Sequence, residues 1–569
     1  MLSYCGSVPM AALLPGRHVY GDYCARKPEL IPFFGAHYDD VRALLERGLP
    51  NAPLTPDASF YTAWSNHARD HGAPDEALRN LRLLAGPGAV ACVTGQQQVL
   101  LTGPLYTTYK IVSVISWSRR LRAWGIPAVP VFWSVSEDSD LAEIDHVFVL
   151  DGDAGCRKIS VPIFPGKSSG RMAGPLQAMS AIPELGADLA MALRPTERTA
   201  ALIGELGAAA GAGPWSGWHT RLLYRWFGAD GLVVLDESMP ALKVASAAVW
   251  RLIVDRWPRL HAAVDADREA LTRLGYATRL RRRRASVPPF FVRDECCRYP
   301  VSYLPNGAYC WEDGRATQSE LRVLAEGEPW RLSASVLTRP PLMCALLPAV
   351  LYCGGPGELA YHAQLGGAYA ALEIPRPVFV PRASITLLSD QARTLCAKLD
   401  VAPCDALGAA VDPHRLCARA LAARCPLAAP ETWTATQHAA VAPLERLAAA
   451  VEREDASLAA PLRAVIDHVA SRLDTVRRRL ERSLATRSEA TTRQAGKLCR
   501  LLRPQGRLQE RLLSPLTYVN EYGWEWIHEL LELPEIDTVE HKLVALHARP
   551  ADRRAPRAAR ALDCGGGRT

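Results

Sequence analysis

A doubly wound α/β core that carries a long helical arm is the fold class this sequence predicts, and three observations lead to it. Short apolar, β-branched runs ending in polar or glycine-rich turns recur along the first two thirds of the chain. Helical periodicities separate them. After Ser384 the composition shifts to Ala, Leu and Arg with a coiled-coil seam. Ala89–Thr94 is the first apolar run and stops at Gly95, as a buried strand ending in a loop would. From Pro104 the apolar residues Leu105, Tyr109, Val112 and Ile115 fall at helical spacing, with Arg119, Arg120 and Arg122 in the last turn. Gly125 and Pro127 end that helix, and Ala128–Trp133 is again continuous and apolar. Strand, helix and strand at this spacing form a βαβ unit with parallel strands. Ligands of such sheets gather outside the carboxyl ends of the strands. There the chain turns polar: Gly95-Gln96-Gln97-Gln98 after the first strand, Glu137-Asp138-Ser139-Asp140 after the second.

The remaining elements follow in order. Residues up to about Asp70 read as short helices wrapped on the core. Between 151 and 214 the chain is rich in Gly, Ser, Pro and Ala and reads as a flexible insertion. Its string GKSSGRMAG (Gly166–Gly174) lacks the first glycine of a phosphate loop, and no clear strand feeds it. Trp218–Phe227 is a helix, and Gly231–Ser238 a third strand with acids at its carboxyl end. A helix then runs to about Leu271. A second insertion, about 278–330, reads as short strands and turns, with hairpins at Asn306-Gly307 and Asp313-Gly314. Leu346–Glu358 (LLPAVLYCGGPGE) is again strand then glycine loop, and Pro377–Pro381 is the last parallel strand. The core, 1–384, is therefore a Rossmann-like doubly wound parallel sheet with two insertions.

The segment 385–501 is expected to be an antiparallel helical arm. Its seam is Leu458, Leu462, Val465, Val469, Leu473, Val476, Leu480 and Leu484, spaced mostly by four and three. Pro461 is tolerable only in that helix's first turn. The stripe needs a partner, and a homodimer through the arm is the expectation. Residues 502–548 return to the core, and the tail 549–569 is expected to be disordered.

Composition narrows the function. A hydrophobic fraction of 49% and a charged fraction of 22% are those of a globular protein. A net charge of +7 on 569 residues does not argue for nucleic acid, and the run Arg281–Arg284 reads as a solvated loop. The 15 cysteines include no C-x-x-C pair, so no metal site is expected, and a reducing, cytoplasmic setting fits. The N-terminus lacks the pattern of a signal peptide, and no apolar run is long enough to span a membrane.

Candidate chemistry lies at the strand ends. Gly95 lets the backbone approach a ligand, and Gln96 and Gln97 offer amide donors and acceptors. Thr102-Gly103-Pro104 opens a helix whose free N–H groups suit an anion, with Tyr106 and Lys110 further along it. Glu137, Asp138, Asp140 and Glu143 crowd four carboxylates into one turn and its sequel, which suits acid–base catalysis, Mg²⁺ or an amino group. Gly354, Gly355, Gly357 and Glu358, with Gln364, form a second glycine-rich end. Arg339 and Arg382 are candidate clamps for carboxylate or phosphate. Gln509, Glu510 and Arg511, with Asn520 and Tyr522, are candidates for nucleotide contact. His146 reads as a core histidine as readily as a functional one.

These stretches also carry a resemblance. GQQQVLLTGPLYTTYK followed by VPVFWSVSEDSDLAEIDHV resembles the cysteine-adding enzymes of bacillithiol synthesis, the BshC-type cysteine ligases. LSASVLTRP, YCGGPGELAYHAQL, VPRASITLL and RLQERLLSPLTYVNEYG match the same family in order, so the resemblance covers most of the chain. It implies ATP-linked joining of L-cysteine to glucosaminyl-malate, binding of adenine nucleotide (ATP or ADP), Mg²⁺ at the phosphates and a dimeric arm. The family's acidic loop reads Glu-Asp-His-Asp, and Ser139 stands here at the histidine position. Serine cannot replace imidazole as acid or base, and His146 or His362 would have to reach the same point to do so. That departure leaves a non-catalytic small-molecule-binding homologue, or a ligase for another amino acid, as the alternative.

Overall fold

The computed structural model describes residues 2–548 apart from 15, 49–51, 162–169, 178–181, 212, 279–289, 409–412, 423–429, 535 and 537. The run Arg281–Arg284, most of the GKSSG string and the tail 549–569 lie outside the described residues. Eight strands position the site: β1 (Leu2–Val8), β2 (Val90–Gln97), β3 (Ala128–Val135), β4 (Val233–Asp236), β5 (Ala349–Gly354), β6 (Val378–Pro381), β7 (Ser384–Leu388) and β8 (His541–Leu546).

Strands β2 to β6 form one parallel sheet in the order β6-β5-β2-β3-β4. The winding reverses between β2 and β5, so the crevice of this doubly wound sheet opens at the carboxyl ends of those two strands. Helix α1 (Leu105–Ala123) joins β2 to β3, and helix α2 (Pro356–His362) follows β5. The strands are buried on both faces, as their continuous apolar character requires.

One boundary differs from the sequence expectation. β2 does not stop at Thr94. Gly95, Gln96 and Gln97 continue the ladder opposite Trp133, Ser134 and Val135. Parallel pairing satisfies their backbone groups, so the polar residues end a strand instead of forming a loop.

The chain ends build a second sheet in the order β1-β8-β7, with β1 antiparallel and β7 parallel to β8. Residues 385–388, expected at the start of the arm, are the buried strand β7. Helix begins only at Asp390, where Ser389 caps the N–H of Ala392. The sequence reading missed β1 among the N-terminal helices.

Both insertions are more ordered than expected. The first contains a strand, Cys156–Ser160, paired with His146–Leu150, and helices Ile182–Ala192 and Thr199–Ala210. In the second, hairpins turn at Asn306-Gly307 and Asp313-Gly314 as read, but a capped helix, Gln318–Gly327, follows.

In the arm, helices α3 (Pro430–Glu454) and α4 (Ala459–Arg487) meet through a tight turn at Asp455, and Arg463 bridges to Glu452 across it. Pro461 falls in the first turn of α4. Leu462, Val469, Leu473 and Leu480 are half-buried, while Leu458, Val465 and Val476 stay exposed; the Leu484 side chain lies outside the described residues. Helix α5 (Glu489–Leu502) then buries Ala495, Leu498 and Leu502. No helix among the described residues is long and apolar enough to cross a membrane.

One buried network ties the returning chain to the sheet. Arg382, just after β6, donates to Glu510 at 2.7 Å, and Glu510 also accepts from the Ser384 hydroxyl and the Ile385 N–H. Burial opposes the Glu510 charge, but Arg382 outweighs it and holds the carboxyl down at about 2, below its usual 4.5. Burial also holds the neighbouring His541 down at about 4, against an ordinary 6.5. The signs agree. Glu510 stabilises the fold fully above pH 4.5, and this is lost as the pH falls toward 2. His541 weakens the fold as the pH falls from 6.5 to 4, because the unfolded chain takes up that proton first. Urea midpoints should therefore fall in two steps between pH 7 and pH 3. Glu510→Gln, which leaves Arg382 buried without its counter-charge, is expected to cost about 3–5 kcal/mol at pH 7 and to remove the lower step.

Candidate functional site

The crevice at the reversal of the sheet is a cavity of about 550 Å³. Gly95, Gln96 and Gln97 line it from β2, Tyr106 and Lys110 from α1, and Gly355, Gly357 and Glu358 from the start of α2. Asp138, Arg339, Arg382 and Arg511 add charge, while Trp133, Tyr352 and Tyr361 give it apolar walls. Gly355 is closely approached: a Cβ there would lie 3.0 Å from Arg382 Nε.

Lys110 is the central cation. The middle of α1 is buried almost all round, so this lysine cannot reach solvent as an amphipathic helix would allow. Its ammonium instead donates to Gly95 O at 2.9 Å and Gln96 Oε1 at 2.7 Å, and pairs with Glu358 Oε2 at 2.8 Å. All three N–H bonds are used. Burial pushes its pKa down and Glu358 opposes that shift. Glu358 is fixed in turn by the Tyr352 hydroxyl at 2.9 Å and the Gly355 N–H at 3.0 Å.

The acidic turn after β3 divides its side chains. Asp138 faces the cavity and accepts from Gln97 Nε2 at 2.9 Å, Arg298 Nη2 at 2.8 Å and the Asp140 N–H at 3.0 Å. Burial works against its charge, but Arg298 and the other donors prevail and keep its pKa below the ordinary carboxylate value. Glu137, in the turn that follows β3, does not line the cavity. It is 1% exposed and neutralised by Lys243 at 2.5 Å and by Arg293. It is a structural ion, not a cavity acid. Asp140 is exposed and does not line the cavity; Glu143 reaches it only through Gln97, at 3.1 Å. Ser139 is half-buried, its hydroxyl accepting from Arg298 Nε at 3.1 Å.

Other candidates lie elsewhere. Thr102 and Gly103 form a buried turn with positive φ, and the N–H of Leu105 is taken by Leu513 O at 2.8 Å. The returning chain thus blocks part of the anion site expected at the start of α1. Gly354 ends β5, and Gln364 donates to Ala360 O within its own helix turn, outside the cavity. Arg339, beside the cavity, is held by Glu237 at 3.1 Å. Gln509 brackets β7 through both backbone groups of Leu387, and Glu510 pairs with Arg382, so both are structural. Asn520 binds Thr199 and the Arg194 carbonyl, and Tyr522 lines a separate cavity of about 560 Å³ with Arg194, Arg198 and Asp390. Of the five residues assigned to a nucleotide, only Arg511 lines the main cavity. His146 pairs with Asp145, and His362 is buried against Tyr352 and Tyr361 with its pKa pushed well down by burial. Neither lines the cavity.

Sequence reading missed Lys243, Arg293 and Arg298. Arg298 touches Asp138 at the cavity but belongs to the far insertion along the chain, and nothing in its local pattern marks it.

Residues 8–383 match the family described as bacillithiol biosynthesis BshC, N-terminal Rossmann-like domain, and residues 385–546 its C-terminal coiled-coil domain. The chain belongs to the BshC family. Its relatives named "Putative cysteine ligase BshC" include that of Geobacillus kaustophilus, 31% identical over 84% of this chain and 88% of the relative. The BshC of Symbiobacterium thermophilum is 30% identical over 86% and 90% of the two chains, and that of Koribacter versatilis 28% over 92% and 97%.

Because Lys110 ties the end of β2 to the start of α2, Lys110→Met should loosen both. Hydrogen–deuterium exchange is expected to rise at 95–98 and at 354–358 together, with roughly 3 kcal/mol lost from the urea unfolding free energy. Faster exchange at only one of the two segments would contradict the tie.

Proposed function

We propose that the cavity joins the carboxyl of L-cysteine to the amine of glucosaminyl-malate, as a cytoplasmic cysteine ligase of bacillithiol biosynthesis. Membership of the BshC family across both domains is the observation that carries this reading. Amide formation from a carboxylate needs an activated acyl group, and ATP would supply that activation.

The cavity suits such substrates. Its volume lies within the range of small-molecule sites. Three of its cations, Lys110, Arg339 and Arg382, are held by Glu358, Glu237 and Glu510. Arg511, exposed at the rim, has no carboxylate partner among the described residues and is suited to a carboxylate or phosphate of the substrate. Mg²⁺ finds no ready protein ligands. Asp138 and Glu358 are both ion-paired, and no group of three or more His, Cys, Asp or Glu suited to a metal occurs among the described residues.

Mass spectrometry of products from purified protein with ATP, cysteine and glucosaminyl-malate tests the reading directly. A cysteinyl adduct is expected, with Asp138→Ala abolishing it and Arg511→Met lowering kcat/KM by at least tenfold. Nucleotide binding with no adduct would favour a binding protein that keeps the fold, the reading Ser139 in place of histidine supports.

We also propose a homodimer through the arm. Leu447, Leu458, Val465 and Val476 are each about half exposed (49–53%) along the helical pair, an apolar strip that one chain leaves uncovered. Sedimentation of the full chain should give a dimer at micromolar concentration, and Val465→Glu with Val476→Glu should give a monomer. A monomeric parent overturns the dimer.

A further inference from the structure

The acidic turn is gripped from both insertions. Gly170–Gly174 of the first runs beside it: the Ala173 N–H donates to Asp138 O at 2.9 Å and the Gly174 N–H to Ser136 O at 2.8 Å. The second sends in Arg298, whose own N–H donates to Gly170 O at 2.8 Å, so the three segments are fastened together. The Arg298 side chain is 6% exposed and lies over the Phe291 ring at 4.3 Å. Its planar fork has two partners in the turn, Asp138 Oδ1 at 2.8 Å and Ser139 Oγ at 3.1 Å. A lysine could not reproduce that pair of contacts, because a point charge on a flexible stem lacks the fork.

The count of acceptor sites on Asp138 gives this grip a purpose. An ionised carboxylate offers about four lone-pair positions. Oδ1 takes Arg298 and the Asp140 N–H, and Oδ2 takes Gln97. One position on Oδ2 is left, on a residue that lines the cavity. Asp138 is too weak a base to shuttle protons near neutral pH, since its surroundings hold it ionised. It is suited to receive an N–H and fix its direction. An amine that donates one N–H to a fixed oxygen has its lone pair aimed elsewhere, toward an acyl carbon.

We propose that Arg298 is a positioning residue: its fork on Asp138 and Ser139 holds the Asp138 carboxylate in the cavity as the acceptor that orients the attacking amine. This rests on the ligase reading for the identity of that amine, whereas the grip on Asp138 stands without it. Ser139 is then the anchor of the fork, and its hydroxyl has a use where the family carries histidine.

The test measures pH profiles of kcat and of KM for the amine substrate in the parent, Arg298→Met and Arg298→Lys. In Arg298→Met the burial of Asp138 is no longer opposed by its main cation, so the acid limb should move up by at least one pH unit. At pH 7, where Asp138 is ionised but no longer held by the fork, kcat should fall at least tenfold. Arg298→Lys should keep the acid limb near its parental position while kcat stays reduced, because the charge is restored without the fork. A uniform loss at every pH, or an unmoved acid limb in Arg298→Met, overturns the proposal. Should Arg298→Met fail to fold, Arg298→Lys decides: parental kcat in that variant overturns it. If the parent forms no product, the ligase reading fails separately. Urea unfolding of Arg298→Lys, Asp138→Asn and the double variant then reads the grip alone, with coupling between the two sites supporting it and additivity overturning it.

Discussion

Burying the ammonium of Lys110 would be unfavourable on its own, and the crevice is arranged around what compensates it. The helix that carries it has no polar face to offer, so the charge must be met from within: by a carbonyl and an amide at the end of β2 and by the carboxylate that opens α2. Those partners sit at the end of β2 and just after β5, the two strands between which the sheet reverses its winding. One side chain therefore sets the distance between the two walls of the cavity. At the second wall Gly355 lies close to the Arg382 guanidinium, where a Cβ would come within 3.0 Å of Nε.

The insertions serve the same crevice from the other side. The turn after β3 has a short backbone and a dense negative charge, an arrangement that repulsion would splay in solvent. The two buried or half-buried acids of the turn are met by cations from other parts of the chain, Lys243 and Arg293 for Glu137 and Arg298 for Asp138, and Arg339 does the same for Glu237 after β4. Burial, with the nearby charge of Glu137, pushes the pKa of Glu237 up against the pull of Arg339.

Much of this was legible in the sequence. The βαβ unit, the polar strand ends, the glycine loop of Gly354–Glu358 and the seam of the arm are local patterns, and period and punctuation reveal them. Lys110 was named but its burial was not foreseen, because a helix sandwiched between a sheet and a returning chain loses the solvent face that its lysine implied. Glu137 and Asp138 read as equals, yet the turn gives one to Lys243 and Arg293 and the other to the cavity. Gln509 and Glu510 looked like ligand contacts and proved to be the fastening of β7, a pairing across the sequence that no local pattern encodes. Arg298 was missed for the same reason.

The place of β8 has a consequence for how the molecule is made. It is the middle strand of its sheet, flanked by the first strand of the chain and by β7. β1 emerges from the ribosome long before His541–Leu546, so it leaves the tunnel without the strand it pairs with. The parallel core can be assembled during synthesis, whereas this second sheet closes only once β8 has emerged. Until then β1 and β7 each present an unpaired edge, from which other chains must be kept away.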